Sequence, residues 1–297
     1  MIKNIIDIAD LTIDDINQIY IRANEFEKGI RKSNHINAHV VNMFFEDSTR
    51  TKMSFEMAEN RLNVHKYDFL PDLSSINKGE NLFDTINNLS AIGINIAVIR
   101  HSDNNVIKEL SEKQYFNEMH FINAGSGVHS HPTQALLDFY TIRKHHLNLD
   151  EKTITFVGDI AHSRVAHSNI NLLKKFNMKI RCLAPSEFMG EKIEGVEYFT
   201  SLKEAFEGTD IIMALRIQKE RIEEKINIDE YIKNYQITKE NLPYDVLLMH
   251  PGPVNRDIEI SSEVLETQNA KTILQQAKNG VFVRMAILDM VLAYLGL

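Results

Sequence analysis

The chain has 297 residues and a formal net charge of −8, and this length predicts two domains because one hydrophobic core rarely organises so many residues. The acidic balance argues against a general nucleic-acid surface, and the lack of any apolar run of 18 residues argues against a membrane-spanning helix. The start resembles no signal peptide and the only cysteine is Cys182, so we expect a cytoplasmic protein without disulfides.

Short apolar runs alternate with helical patterns along the chain. Between the runs, apolar residues recur at helical spacing, as at Phe55, Ala58 and Leu62. The runs are predicted as strands at residues 39–45, 94–100, 119–125, 153–159, 179–185, 210–215 and 245–253. This alternation is typical of an α/β protein with mostly parallel sheets flanked by helices.

The stretch "HHLNLDEK" at 145–152 separates a helical pattern from a new strand, with about three predicted strands before it and four after it. We therefore predict a first domain at 1–147 and a second domain at 148–278, each with its own sheet. The apolar segment at about 279–297 follows Asn279-Gly280 and is predicted as a helix that packs back on the first domain.

The stretch "MFFEDSTRTKMSFEMAENRL" at 43–62 places hydroxyls and cations where a strand passes into a helix. Ligands of open parallel sheets bind beyond the carboxyl ends of strands, where helix N-termini offer unpaired N–H groups. Hydroxyls with Arg50 can therefore bind a phosphate. The alternative is that Ser48 or Thr49 only caps the helix and Arg50 is a solvated charge.

Three further clusters follow predicted strands at corresponding positions. They comprise Arg100 and His101 in "VIRHS", His129, His131 and Gln134 in "GVHSHPTQ", and His250, Pro251, Gly252 and Pro253 in "HPGP". One such cluster can be a turn, but four in corresponding places favour a functional site.

The motifs "FFEDSTRT", "SINKGE", "HPTQALLD", "LRIQKER" and "HPGPVNRDIEI" resemble, in order and across nearly the whole chain, the aspartate carbamoyltransferases. This resemblance implies transfer of the carbamoyl group of carbamoyl phosphate to L-aspartate in pyrimidine biosynthesis. It also implies an active site in the cleft between two domains, without a cofactor or a metal.

The resemblance assigns roles to the first set of residues. Thr51, Arg100 and His131 would be the catalytic donors to the carbonyl oxygen. Carbamoyl phosphate would further contact Ser48, Thr49, Arg50, Gln134, Pro251, Gly252 and Pro253. In this scheme no protein nucleophile is needed, and catalysis is positioning with electrostatic stabilisation.

The resemblance assigns the two carboxylates of aspartate to Arg164, Arg216 and Gln218, with Lys78 as a further ligand. Ser74 and Lys78 would come from a neighbouring subunit, which implies a homotrimer with shared active sites. The sequence leaves open whether regulatory chains attach.

Three alternatives remain at this point. A related carbamoyltransferase acting on ornithine needs an acidic partner for a cationic side chain, and it usually has a cysteine in the motif at 250–253. A dinucleotide-binding oxidoreductase would need more glycines than the single one in "VGDIAHSRVAHS". A non-catalytic phosphate binder would not need donors around a carbonyl group.

Overall fold

A computed structural model describes residues 2–113, 115, 118–218 and 227–297. The chain divides into two compact units, Met1–Leu136 with Ala277–Leu297, and Leu137–Gln276. Each unit contains one sheet of parallel strands flanked by helices, which confirms the predicted fold class.

The first unit begins with a helix whose start is stabilised locally. Thr12 and Asp15 form a reciprocal capping box at the N-terminus of the first helix. Its longer elements in chain order are α1 (Ile13–Glu27), β1 (His39–Phe44), α2 (Thr49–Arg61), β2 (His65–Phe69), α3 (Leu82–Ala91), β3 (Ile96–His101), α4 (Val106–Ser111), β4 (His120–Ser126) and α5 (Pro132–His145). Short 3-10 helices occur at Ile8–Asp10, Pro71–Leu73 and Ser75–Lys78.

The first sheet has the strand order β2-β1-β3-β4 with parallel pairing throughout. The predicted strands at 39–45, 94–100 and 119–125 are confirmed as β1, β3 and β4. Phe44 pairs with Arg100 in register, so the carboxyl ends of β1 and β3 lie side by side. The sequence analysis missed β2, which is an edge strand with four exposed residues and therefore has no apolar run.

A buried polar pair joins α2 to β1. The side chain of Asn42 donates through Nδ2 to Glu59 Oε2 at 2.9 Å, and both side chains are buried. Burial raises the pKa of Glu59 to about 7, although the hydrogen bond from Asn42 opposes this shift. Among the described residues, Glu59 Oε1 and Asn42 Oδ1 are buried and have no hydrogen-bond partner.

The second unit repeats the strand-helix pattern. Its elements are β5 (Thr153–Val157), α6 (Arg164–Lys174), β6 (Lys179–Leu183), α7 (Ser186–Met189), β7 (Val196–Phe199), α8 (Leu202–Phe206), β8 (Ile211–Ala214), α9 (Ile228–Tyr235), β9 (Leu247–Met249) and α10 (Ser262–Leu265), and the helix α11 (Lys271–Leu295) follows. The parallel strand order is β7-β6-β5-β8-β9. The sequence analysis predicted all of these strands except β7, which has only four residues.

The last helix is longer than predicted. It begins at Lys271, and Gly280 lies inside it, so the expected start near residue 279 is wrong. Its part in the first unit is held by charged contacts: Asp289 accepts hydrogen bonds from Arg22 at 2.7 Å and from His35 at 2.9 Å. Despite its length, neither this helix nor any other in the described chain combines the length and hydrophobicity needed to cross a membrane.

The boundaries of the two units fall inside α5 and α11. The sequence analysis placed them after residues 147 and 278, where composition changes. The boundaries of the compact units therefore differ from the boundaries that the change in composition predicted.

Candidate active site

The first cluster begins where β1 ends and α2 starts. Ser48 occupies the N-cap position of α2, and its carbonyl oxygen accepts the first helical hydrogen bond from Lys52 N at 3.1 Å. The Ser48 hydroxyl makes no capping hydrogen bond, so Ser48 does not cap the helix through its side chain. The first N–H groups of a helix lack partners within the helix, and together with such hydroxyls they form a site for an anion.

Burial differs sharply along this first turn. Thr49 and Arg50 are exposed, whereas Thr51 is 7 % exposed. Lys52 forms an ion pair with Asp68 at 3.0 Å, which directs its side chain toward the end of β2. Thr51 is therefore held rigidly by its surroundings, while Thr49 and Arg50 lie open to a ligand from solvent.

Arg100 lies at the carboxyl end of β3 and is mostly buried. Its Nη1 donates to Ala124 O of β4 at 3.4 Å, and its Nε lies 3.4 Å from Glu46 Oε2. The backbone of Phe45 also donates to Arg100 O at 2.9 Å. These contacts place the guanidinium where the ends of three neighbouring strands meet.

His131 and Gln134 are brought to the same edge by a tight return of the chain after β4. Ser126 N donates to Ser130 O at 2.8 Å, and α5 starts directly after His131. The carbonyl oxygen of His131 accepts from Gln134 N at 3.0 Å, and the two side chains are only 4 % and 8 % exposed. His129 is exposed.

The structure thus gathers most of the predicted carbamoyl phosphate residues at one edge of the first sheet. The cations and hydroxyls near a helix N-terminus suit a phosphate, and the buried donors Thr51 and His131 suit a less charged oxygen beside it. These residues are Ser48, Thr49, Arg50, Thr51, Arg100, His131 and Gln134.

Ser74 and Lys78 lie in the segment between β2 and α3. Ser74 Oγ donates to Pro71 O at 2.7 Å, and Lys78 is exposed at the end of a 3-10 helix. Within the described residues, no hydrogen bond or ion pair connects either side chain to Arg50, Arg100 or His131. The segment therefore does not complete the site of its own chain through such contacts.

The second unit has a corresponding cluster at the ends of β5 and β8. Val157 pairs with Ala214, and Leu215 N donates to Val157 O at 2.7 Å. Arg164 is the first residue of α6 and is 6 % exposed, and Arg216 follows β8 and is partly exposed. Both predicted carboxylate ligands therefore come after neighbouring strands of one sheet, Arg164 after β5 and Arg216 after β8.

A polar contact ties these two strand ends together. Gln218 Nε2 donates to His162 O at 2.7 Å, and His162 Nδ1 lies 2.8 Å from Oδ1 of the buried Asp159. The sequence analysis proposed Gln218 as a ligand but missed Asp159 as the group that holds the turn. The remaining residues of "LRIQKER", Lys219 to Arg221, lie outside the described residues.

The predicted Pro251, Gly252 and Pro253 follow β9, at the same edge of the second sheet, and the Gly252–Pro253 peptide bond is cis. His250 Nδ1 accepts from Gly252 N at 2.7 Å, which shapes this turn. The sequence analysis also missed Glu259, which is 1 % exposed. Its position between Ile258 and Ile260 was the available signal, since buried carboxylates are rare unless they have partners.

Comparison with known proteins supports the same division of roles. Residues 3–144 match the family model described as "Aspartate/ornithine carbamoyltransferase, carbamoyl-P binding domain", and residues 150–291 match the model of the "Asp/Orn binding domain". An aspartate carbamoyltransferase catalytic subunit from Coxiella burnetii is 39 % identical over 97 % of this chain and 96 % of its own. One from Wolbachia is 41 % identical over 96 % of this chain and 97 % of its own.

Solved structures are similar as well. The catalytic subunit of M. Jannaschii aspartate transcarbamoylase superposes with a TM-score of 0.87 at 30 % identity, and the match covers 98 % of both chains. An aspartate transcarbamoylase from Trypanosoma cruzi in complex with carbamoyl phosphate and aspartate gives a TM-score of 0.84 at 28 % identity, covering 96 % of this chain and 95 % of the other.

The strand-end clusters and the two matching family models define this protein as a carbamoyltransferase. The matches span both units and nearly the whole length of the relatives. The chain belongs to the aspartate/ornithine carbamoyltransferase family.

Gly158 provides a test of how the Arg216 segment is held. Gly158 has φ +122°, and a Cβ at this position would lie 2.8 Å from Leu215 O, directly before Arg216. We expect Gly158→Ala to displace this segment, to lower stability by about 1–3 kcal/mol and to speed amide exchange at Leu215. The control is Gly93→Ala, because Gly93 has φ +103° but no neighbour within 4 Å. Equal exchange at Leu215 in both variants would contradict the close-approach argument.

Proposed function

We propose that this protein is an aspartate carbamoyltransferase, which converts carbamoyl phosphate and L-aspartate to N-carbamoyl-L-aspartate and phosphate in de novo pyrimidine (UMP) biosynthesis. The observation that carries the choice of aspartate is the pair Arg164, at the start of the helix after β5, and Arg216, directly after the adjacent strand β8. Two guanidinium groups match a substrate with two carboxylates. The names of the relatives support the same substrate.

In this proposal the first unit binds carbamoyl phosphate. The phosphate is held by the start of α2, where Arg50 supplies charge and Ser48 and Thr49 supply hydroxyls and N–H groups. Gln134 accepts from the carbamoyl NH₂ group, and we assign the same role to the backbone carbonyl of Pro251. Gly252 and Pro253 shape that turn.

The chemistry needs no protein nucleophile. The aspartate amine attacks the carbonyl carbon, a C–N bond forms, and the C–O bond to phosphate breaks as its electron pair leaves with phosphate. The amine proton passes to the departing phosphate. Negative charge that develops on the carbonyl oxygen is stabilised by Thr51, Arg100 and His131, and losing one such donor typically costs about 2.7–4 kcal/mol.

In this proposal the second unit binds aspartate. Arg164 binds the α-carboxylate, and Arg216 with Gln218 binds the side-chain carboxylate. Ornithine has a cation in place of the second carboxylate, so Arg216 would repel it. The competing assignment as an ornithine enzyme is therefore disfavoured by the charge of Arg216. No cofactor or metal takes part in this scheme.

We also propose a cytoplasmic location. The support is Cys182, which lies buried in β6 and has its pKa raised to about 12 by burial. Such a thiol neither forms a disulfide nor reacts readily.

A substrate panel tests the proposed activity. With carbamoyl phosphate as the donor, we expect steady-state carbamoylation of L-aspartate and no measurable turnover of ornithine or N-acetylornithine. Arg216→Ala should raise the KM for aspartate because it removes one carboxylate ligand. Turnover of ornithine without turnover of aspartate would overturn the proposal, and failure with all three amines would leave only a binding function.

We further propose a homotrimer in which Ser74 and Lys78 of one subunit complete the site of its neighbour. Lys78 is exposed and has no ion pair among the described residues. The same region presents apolar surface, since Leu73 is 82 % exposed and Leu70 is 51 % exposed. A patch of exposed apolar side chains is a candidate interaction surface, which supports a subunit contact in this region. A head-to-tail contact of this kind closes into a ring.

Mixing two inactive variants tests the shared site. Arg50→Ala and Lys78→Ala are each expected to be nearly inactive as pure proteins. After dissociation, equal mixing and reassembly, a site is intact wherever a Lys78→Ala subunit supplies Arg50 and an Arg50→Ala neighbour supplies Lys78. Random assembly then restores activity to about one quarter of the sites.

The control for this experiment is subunit exchange itself, measured by mass spectrometry of the mixed trimers. Each variant dissociated and reassembled alone should stay inactive. Confirmed exchange without recovered activity would refute the shared site, because a Lys78 that acts within its own chain leaves every site defective.

A further inference from the structure

Glu259 is a buried carboxylate that contacts two separate segments of the second unit. Its Oε1 accepts from Ile217 N at 3.0 Å and from Asn255 Nδ2 at 2.7 Å, and its Oε2 accepts from Asn255 N at 2.7 Å. The residue is 1 % exposed, so water does not replace these donors. One side chain therefore holds the backbones at 217 and 255 together.

Both segments carry residues of the proposed site. Ile217 lies between Arg216 and Gln218, directly after β8. Asn255 lies two residues after Pro253, in the turn that follows β9. Glu259 thus joins the backbone that presents the aspartate ligands to the backbone that presents the carbamoyl contacts.

His250 lies near the same carboxylate and shapes the turn that follows β9. Its Nδ1 accepts from Gly252 N at 2.7 Å, while its Nε2 lies 3.9 Å from Glu259 Oε2, which is beyond hydrogen-bond distance. The backbone N–H of His250 donates to Gln276 Oε1 at 3.0 Å. The turn at 250–253 is therefore held from its start as well as from Asn255.

A second part of this network reaches α6. Gln276 Nε2 donates to Asp138 Oδ1 at 2.8 Å, and Asn169 Nδ2 donates to Asp138 Oδ2 at 2.9 Å. All three side chains are at most 2 % exposed. Asn169 lies in the helix that begins at Arg164, so this second set of hydrogen bonds connects that helix to the turn that starts at His250.

The cost of burying Glu259 indicates that its contacts matter. Burial raises the pKa of Glu259 above its ordinary value, although hydrogen bonds from Ile217 and Asn255 oppose the shift. An apolar residue would fill the same space without this cost. A buried acceptor for three N–H groups instead specifies one arrangement of the two segments.

We propose that Glu259 is a positioning residue, which locks the segments 215–218 and 250–255 in the single arrangement needed for aspartate carbamoylation. The expected changes in KM and kcat rest on the proposed function. The expected protection of the Ile217 and Asn255 amides from hydrogen exchange does not.

Glu259→Gln keeps the size of the side chain but places an NH₂ group against an N–H donor. We expect amide exchange at Ile217 and Asn255 to become at least about tenfold faster in the unliganded protein, since a hydrogen bond to a charged group is lost. The matched control is Asp257→Asn in the same loop, because Asp257 accepts two hydrogen bonds from Ser262 and none from either segment. Unchanged exchange in Glu259→Gln would overturn the proposal.

The kinetic arm separates positioning from general stability. Below the unfolding temperature, Glu259→Gln should raise the KM for aspartate and lower kcat, each by about tenfold, while Asp257→Asn should change neither. Binding of inorganic phosphate should stay unchanged, because its ligands lie in the first unit. A lower Tm with wild-type KM and kcat would show a purely structural role and would contradict the proposal.

A second variant and the exchange measurement cover two cases in which Glu259→Gln kinetics cannot be used. If Glu259→Gln does not fold, Asn255→Ala replaces it, since it removes one donor to the carboxylate and should give a smaller effect in the same direction. If the wild-type protein does not carbamoylate aspartate, the proposed function fails, and the exchange measurement alone decides the role of Glu259.

Discussion

The parallel pairing of β1, β3 and β4 is the constraint on which the first half of the site depends. Parallel strands end at one edge of a sheet, so side chains that follow each strand are brought together without being close in sequence. Phe44 pairs with Arg100, and Arg100 donates to Ala124 of β4. The helix α2 then adds the positive end of its dipole at this edge. Ser48 is its N-cap residue, and the Ser48 hydroxyl makes no capping hydrogen bond.

Buried carboxylates do the corresponding work in the second unit. Arg164 and Arg216 come after the loop or turn that follows a strand, and such segments need internal hydrogen bonds to keep one conformation. Asp159 holds the turn after β5 through His162, and Glu259 holds the segments after β8 and β9. The backbone beside the proposed ligand Arg216 is thereby held by a buried acceptor, since Glu259 accepts from Ile217 N.

Sequence patterns identified candidate site residues at strand ends, but they located the secondary-structure elements less completely. Ser48 to Thr51 and His131 stood out because hydroxyls, cations and a histidine follow apolar runs. The strands β2 and β7 were missed because edge strands bury little and have no apolar run to detect. Gly280 suggested a helix start, yet it lies inside α11, where packing outweighs its low helix propensity.

The contacts of individual side chains could not be predicted in this way. Glu259 is only one of many acidic residues in the sequence, and its role depends on a turn that brings residue 217 to it. Likewise, the raised pKa of Glu59 follows from its burial, and the partner Asn42 is 17 residues away in the sequence, so no local pattern predicts it. Tertiary structure determines which polar residues are solvated on the surface and which are buried and hold backbone segments through hydrogen bonds.

The central claim is that the edge formed by β1, β3 and β4 contains one group that grips phosphate throughout and another that stabilises charge only as it develops. Comparing kcat with the Kd of a phosphonate analogue of carbamoyl phosphate in Arg50→Ala and His131→Ala tests this claim most directly. We expect Arg50→Ala to weaken binding and lower kcat, and His131→Ala to lower kcat by about 100-fold while Kd changes little. Equal effects of the two substitutions, confined to binding, would contradict the account.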